Sequence, residues 1–238
     1  MKIVVTGSLG NISRPLAEEL IAEGNSVTVI SSSPEKQKEI EGLGAKAAIG
    51  TMEDVAFLTE TFKGADAVYC METFGFFNPD FDYLQYIDQI AHNYKDAIEA
   101  SAIKKVIHLS SIGAHTSEGV GILKFHHLAE RIMNQLSEDI VIKFIRPVGF
   151  YVNLLGQIPT IKSKGIIVSN FGNQEKEPWV SPYDIADVIA EEFRLPFNHR
   201  KIRYVASDAV SAIEIAETLG KEIERPDLKW VTVTDEEY

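Results

Sequence analysis

Apolar and polar positions alternate between two rhythms along this chain. Residues 2–6, Lys-Ile-Val-Val-Thr, are short, rich in β-branched residues with an apolar centre and stop at Gly7, which predicts a buried strand. From Ile12 the apolar positions take helical spacing, with Ile12, Leu16, Leu20 and Ile21 on one face, Pro15 in the first turn and Gly24 as the stop. The alternation then repeats. It predicts strands over 26–30, 45–49, 67–71, 105–109 and 141–145. Helices fall between them over 34–43 (with Ser33 as the cap), 53–62, 81–101 and 121–136. Apolar strands alternating with amphipathic helices predict an α/β, doubly wound parallel sheet covered on both faces.

After Arg146-Pro147 the rhythm breaks. Residues 151–179 read as loop-rich, with glycines at 156, 165 and 172. A helix is then expected from Ser181-Pro182 through Phe193, a strand over 202–206, a helix over 211–223 and a strand over 228–233. Thr234 to Glu237 read as a capped helix start. The expected organisation is a main domain over 1–150 and a small C-terminal α/β lobe over 151–238 that partly completes the same sheet.

Composition adds exclusions. With 238 residues, 45% apolar and 24% charged, the chain can bury a core without metals or disulfides. A net charge of −12 opposes nucleic acid or an anionic membrane as the main partner, since both are polyanions. A single cysteine, Cys70, sits in a predicted buried strand and fits a reducing, cytoplasmic setting. The opening MKIVVTG leads to the expectation of no secretory leader, and without an apolar run of roughly 18 residues no membrane span is expected.

The candidate chemistry begins at residues 6–13, between the first strand and the first helix. Gly7 permits a tight turn and Gly10 a close backbone approach, so the N–H groups around Gly7, Ser8, Leu9, Gly10, Asn11 and Ile12 can face a pyrophosphate. Ser13 stands where a third glycine often falls. A Rossmann dinucleotide site is expected; the bland alternative is such a scaffold without its ligand. At the end of the second strand an NAD site usually carries Asp or Glu for the ribose hydroxyls. Here Ser31 and Ser32 follow, the first acid is Glu35, and Lys36 lies within one turn. No arginine falls in this stretch. The pattern favours NADP over NAD, with Lys36 as a solvated helix residue the alternative.

Hydride-transfer enzymes on this scaffold commonly pair a tyrosine with a lysine four residues on, which lowers the phenol's pKa. The residues four after the tyrosines are Thr73, Ile87, Ile90, Ile98, Leu155, Asp187 and Asp208, so that pair is missing. Ser110 and Ser111 end the fifth strand at the sheet's carboxyl edge, where ligands bind; capping of the next turn is the alternative. His126 is the one catalytic candidate. It lies four before Glu130 on one helix face and can contact ribose or carry a proton. A purely structural imidazole is the other reading. Scattered histidines, no HExxH and no second cysteine give no metal motif.

Four segments together resemble the NmrA-like group of atypical short-chain dehydrogenase/reductases. They are Thr6-Gly7-x-x-Gly10-Asn11-Ile12, residues 108–114, residues 145–153 and residues 179–186. The resemblance spans nearly the whole chain. It implies an NADP-preferring Rossmann domain with a small substrate lobe. It places Met71, Thr73 and Phe74 in the cofactor cleft, and Pro147, Val148, Gly149 and Phe150 beside the nicotinamide. His126 stands where members often keep a lysine. Residues 74–79 are aromatic and glycine-jointed, suited to a flat ring or to core packing. The expected function is an NADPH-dependent reductase of a small flat acceptor such as a quinone, by direct hydride transfer without the tyrosine–lysine pair. The alternative is a non-catalytic NADP(H)-binding redox sensor acting through a protein partner. A sugar-nucleotide epimerase fits less well, because the pair is missing and the lobe is short.

Overall fold

In the computed structural model, which describes residues 1–73, 81–172 and 174–237, the alternation resolves into twelve strands and eight α-helices among the described residues. In chain order these are β1 (Lys2–Val5), α1 (Ser13–Ala22), β2 (Ser26–Ser31), α2 (Gln37–Gly42), β3 (Lys46–Ile49), α3 (Val55–Phe62) and β4 (Ala67–Cys70). There follow α4 (Tyr83–Ala100), β5 (Lys105–Leu109), α5 (Lys124–Met133), β6 (Val141–Pro147), β7 (Gly149–Phe150), α6 (Ile158–Lys164), β8 (Ile166–Ser169) and β9 (Glu177–Val180). The last are α7 (Pro182–Arg194), β10 (Lys201–Val205), β11 (Asp208–Val210), α8 (Ala212–Glu222) and β12 (Lys229–Thr232). Contacts divide the chain into two units, Met1–Pro147 with Ile185–Val205, and Val148–Asp184 with Ala206–Tyr238.

The first unit is a seven-stranded parallel sheet in the order β10-β6-β5-β4-β1-β2-β3. Its central strands β1 and β4 are apolar and buried, because helices cover the sheet, whereas the edge strands β3 and β10 are partly exposed. Val4, Ile30, Val68 and Cys70 pack with Leu58 and Phe62 of α3 and with Ile90, Tyr94, Ala97 and Ile98 of α4. Each fully buried side chain of this kind stabilises the fold by roughly 1.5–3 kcal/mol. Leu16 and Leu20 of α1 and Ile185, Ile189 and Phe193 of α7 are buried as well. Arg194 ties α7 to α1 through Glu19 (3.4 Å) and Glu23. Helix starts are fixed locally: Asp54 accepts from the Phe57 N–H and Asp82 from the Gln85 N–H, each at 3.0 Å. The winding direction reverses between β1 and β4, so the carboxyl ends of these two strands form the topological switch point where ligands bind in doubly wound sheets.

Several sequence expectations need correction here. Ser33 makes no capping hydrogen bond; residues 34–36 form a 3-10 turn and α2 starts only at Gln37. The helix expected over 121–136 likewise opens with a 3-10 turn, and α5 covers Lys124–Met133.

In the second unit β7, β9 and β11 form one small sheet and β8 with β12 another. Ile167, Ala216 and Leu228 form its core, with Ile161, Leu219 and Trp230 packed against them. Ser211 and Glu214 close a reciprocal capping box at the start of α8. The stretch read as loop-rich therefore holds α6, β8 and β9. Of the strands after residue 147, only β10 joins the large sheet; the others pair among themselves. Thr234 to Glu237 close a single turn, with the Glu237 N–H donating to the Thr234 carbonyl, not a helix start.

Candidate functional site

The turn after β1 is tied to its neighbours on both sides. The Thr6 N–H donates to the Tyr69 carbonyl at 3.1 Å, and Thr6 Oγ1 accepts from the Met71 N–H at 3.0 Å. Gly7 adopts φ +84°, and a Cβ there would lie 2.5 Å from Met71 Sδ and 2.6 Å from Ser13 Oγ. Ser8, at φ +55°, donates its N–H to the Ile30 carbonyl at 3.0 Å. The Gly10 N–H donates to the Gly7 carbonyl at 3.1 Å. Ser13 is fully buried, and its Oγ donates to Met71 Sδ at 3.5 Å, which explains how serine replaces a glycine here. The amide hydrogens of Leu9, Asn11 and Ile12 meet no acceptor among the described residues. They precede the first turn of the ten-residue α1, whose partial positive charge adds to theirs. A row of uncommitted donors at this place suits a diphosphate.

At the end of β2, Ser31 Oγ accepts from Ser8 Oγ at 2.9 Å and from the Ser33 N–H at 3.2 Å. Its hydroxyl therefore braces the turn, while Ser32 is exposed beside it. Lys36 Nζ donates to Glu39 Oε2 at 2.8 Å. Arg14, in the first turn of α1, donates to Glu39 Oε1 at 2.6 Å. The local sequence showed no arginine at this corner; the fold brings Arg14 to it from α1.

The carboxyl ends of β4, β5 and β6 carry a buried polar network. Glu72, just past β4, accepts from His108 Nε2 of β5 at 2.8 Å, and both side chains are sealed from water. Burial alone would lower the His108 pKa, but the Glu72 carboxylate more than offsets this and holds it above its usual value. Ser110 Oγ donates to Glu130 Oε1 at 2.5 Å. Arg146 of β6 donates to Glu130 from Nε at 2.9 Å and from Nη2 at 2.6 Å, a bidentate pair, and from Nη1 to Tyr204 at 2.8 Å. His126 Nδ1, His108 Nδ1 and Glu72 Oε2 are buried without a partner among the described residues. Burial drives the His126 imidazole down to about 4; the Glu72 charge opposes this and His108 adds to it. His126 is thus neutral near pH 7, and Glu130, its partner by helix spacing, is engaged with Ser110 and Arg146.

The remaining candidates are spread over both units. Met71 packs under Gly7, and Thr73 is exposed two residues on. Phe74 and the aromatic stretch 74–79 lie outside the described residues. Pro147 is buried at the end of β6. Val148, Gly149 and Phe150 open the second unit, where Gly149 and Phe150 pair with Trp179 and Val180. Cys70 is buried as expected. Sequence reasoning missed Glu72, Arg14 and Glu39. Glu72 had a signal: a carboxylate directly beyond an apolar strand at the ligand-binding edge of the sheet.

A parallel sheet with this strand order, carrying open amides at its switch point, defines a dinucleotide-binding protein of the Rossmann class. The chain belongs to the NAD(P)H-binding family, whose model matches residues 7–196. It is 25% identical over 228 residues to (4-alkanoyl-5-oxo-2,5-dihydrofuran-3-yl)methyl phosphate reductase of Streptomyces griseus, covering 94% of this chain and 74% of that one. In fold it is similar to an NADPH-dependent quinone oxidoreductase of Escherichia coli solved with NADPH, at TM-score 0.84 and 19% identity over 99% of this chain and 80% of that one. It is also similar to a nucleoside-diphosphate-sugar epimerase of Staphylococcus aureus, at TM-score 0.83 and 16% identity over 100% of this chain and 82% of that one. These findings agree with the resemblance to NmrA-like reductases.

Proposed function

We propose that this chain is an NADPH-dependent reductase of a small, flat, electron-poor acceptor such as a quinone. The observation that carries the reading is the row of uncommitted amides at Leu9, Asn11 and Ile12, beside a glycine that admits no side chain. The names of the Streptomyces and Escherichia relatives point the same way. Bound at the notch, the coenzyme supplies the hydride. Gly7, Ser8, Leu9, Gly10, Asn11 and Ile12 would hold its diphosphate, and Ser32 and Lys36 its adenosine end, with Ser31 bracing the turn. Met71, Thr73, Ser110, His126 and Pro147 belong to the carboxyl edge toward which the nicotinamide would extend. A neutral His126 can hydrogen-bond a carbonyl acceptor but carries no spare proton near pH 7. An acceptor whose reduced anion takes its proton from water suits such an edge.

NADPH consumption against a panel of quinones and azo dyes tests this. Turnover well above the uncatalysed rate with at least one acceptor is expected. Tight coenzyme binding without turnover on any acceptor would favour the redox-sensing reading instead. The specific observation behind that second reading is the neutral His126, at the position where the resemblance to NmrA-like reductases implies that members often keep a lysine.

A further inference from the structure

Three buried polar atoms near the carboxyl ends of β4 and β5 have no partner among the described residues: Glu72 Oε2, His108 Nδ1 and His126 Nδ1. Buried polar groups are nearly always satisfied by protein or by ordered water, so three gathered in one place signal a shared partner. They belong to one cluster. Glu72 Oε1 and His108 Nε2 are 2.8 Å apart, with side-chain exposures of 1% and 0%. His126, lowered first by burial, feels the charges of both Glu72 and His108. His108 bonds Glu72 through Nε2, and its imidazolium form carries a second proton on Nδ1. A neutral His126 protonated at Nε2 leaves Nδ1 as an acceptor, and Glu72 Oε2 is an acceptor as well. One donor and two acceptors complement a single water molecule, which accepts once and donates twice. His126 also spans a boundary: its Nδ1 is sealed, while the residue as a whole is only half-buried. The other titratable groups around the pair do not compete for the proton. Burial raises Tyr69 and Cys70 of β4 and Tyr94 of α4, which keeps them neutral. Glu130 of α5, whose charge also reaches His108, is held by Ser110 and Arg146.

We propose that Glu72, His108 and His126 form a proton relay around one internal water, in which His108 stores the proton and His126 hands it to the reduced acceptor. The inference rests on the reductase reading above and adds the path by which a solvent-derived proton follows the hydride. Hydride addition leaves an oxyanion on the acceptor. His126 gives it the Nε2 proton, His126 Nδ1 takes one from the water, and the water takes one from His108 Nδ1. The acceptor gains one O–H bond. His126 stays neutral with its tautomer exchanged, and His108 becomes a neutral imidazole still bonded to Glu72 through Nε2–H. Once the product has left, a solvent proton enters at the open edge of His126 and recharges His108 along the same path. Glu72 touches no substrate; it is a positioning residue that keeps His108 protonated against the cost of burial.

Histidine ¹⁵N NMR of the ligand-free protein and the pH profile of kcat test the relay, with Glu72→Gln and His126→Asn beside the wild type. The His108 signal is expected to titrate above the ordinary 6.5 in the wild type and below it in Glu72→Gln, where burial prevails. Wild-type kcat is expected to fall as pH rises through the His108 value, and that fall should move to lower pH in Glu72→Gln. His126→Asn is expected to lower kcat roughly 100-fold and to flatten the profile, while the His108 signal still titrates above its ordinary value. A wild-type His108 that is neutral near pH 7, or a profile that Glu72→Gln leaves in place, overturns the relay while the reductase reading stands. Should Glu72→Gln not fold, His126→Asn decides: full kcat with the wild-type profile overturns the relay. A wild type without turnover on any acceptor overturns the reductase reading and the proton delivery with it.

Discussion

At Gly7 the backbone angle and the surrounding atoms make the same demand. A methyl group there meets Met71 Sδ and Ser13 Oγ at under 3 Å and must also accept φ +84°. Gly7→Ala is expected to lower the unfolding free energy by about 1–3 kcal/mol through overpacking and backbone strain. Coenzyme affinity should fall roughly 10-fold or more, as the amides beyond the turn lose their aim. Gly64→Ala is the control: at φ +74° with nothing within 4 Å, it pays the backbone strain alone and should leave coenzyme binding unchanged. Urea unfolding and calorimetry read both effects. Gly7 and Gly10 were legible in the sequence because backbone freedom is a property of one residue. Arg14 and Glu39 were not, since they lie 25 positions apart and meet only once α1 and α2 are docked on the sheet. Ser31 was legible as a small donor, but nothing local showed that its hydroxyl would turn toward Ser8.

Among the elements, β6 shows how a buried charge can hold a sheet's edge. Lys143, in the middle of β6, points into the protein and lies 3.0 Å from Glu192 Oε2 of α7, while Glu192 Oε1 accepts from Lys201 at 2.7 Å and Arg203 at 2.8 Å. Burial alone would raise the Glu192 carboxyl, but the hydrogen bonds from Lys201, Arg203 and Lys143 outweigh it and hold the group at about 2. Its ordinary value is near 4.5. The stability it contributes is therefore fully present above that value and is lost as pH falls toward 2. Glu192→Gln should cost about 3–5 kcal/mol at pH 7, because it leaves Lys143 buried without its counter-charge. The gap from the wild type should narrow as pH falls below 4.5 in urea titrations; a gap that widened would contradict the assignment. The strand itself was legible from its apolar neighbours. Its partner was not, because a lysine within an apolar run says nothing about which distant helix neutralises it. For the same reason β7, of two residues, and β11, of three, escaped notice: strands so short carry no periodicity.

For the whole molecule, the sequence showed the doubly wound sheet and the change of rhythm near residue 147, but not that Ile185–Val205 returns to the first unit. That return depends on β10 pairing with β6 from Lys201↔Lys143 to Val205↔Pro147, a long-range match invisible to local pattern. A chain cut at residue 150 would leave β6 as a bare edge and Lys143 without Glu192. Such a fragment is expected to show no cooperative unfolding transition by circular dichroism, whereas the full chain should show one. A fragment that unfolded as sharply as the full chain would mean that β10 is dispensable to the sheet.

The same return sets a clock on biosynthesis. The sheet's last strand ends at Val205 of 238 residues, so most of the polypeptide must leave the ribosome before that edge can close. At roughly 5–20 residues per second, the stretch from the end of β6 at Pro147 to the end of β10 at Val205 takes about 3–12 seconds to make, and for that time an exposed and charged margin persists. During that interval the nascent sheet offers its open side to other chains, and chaperone dependence should concentrate there.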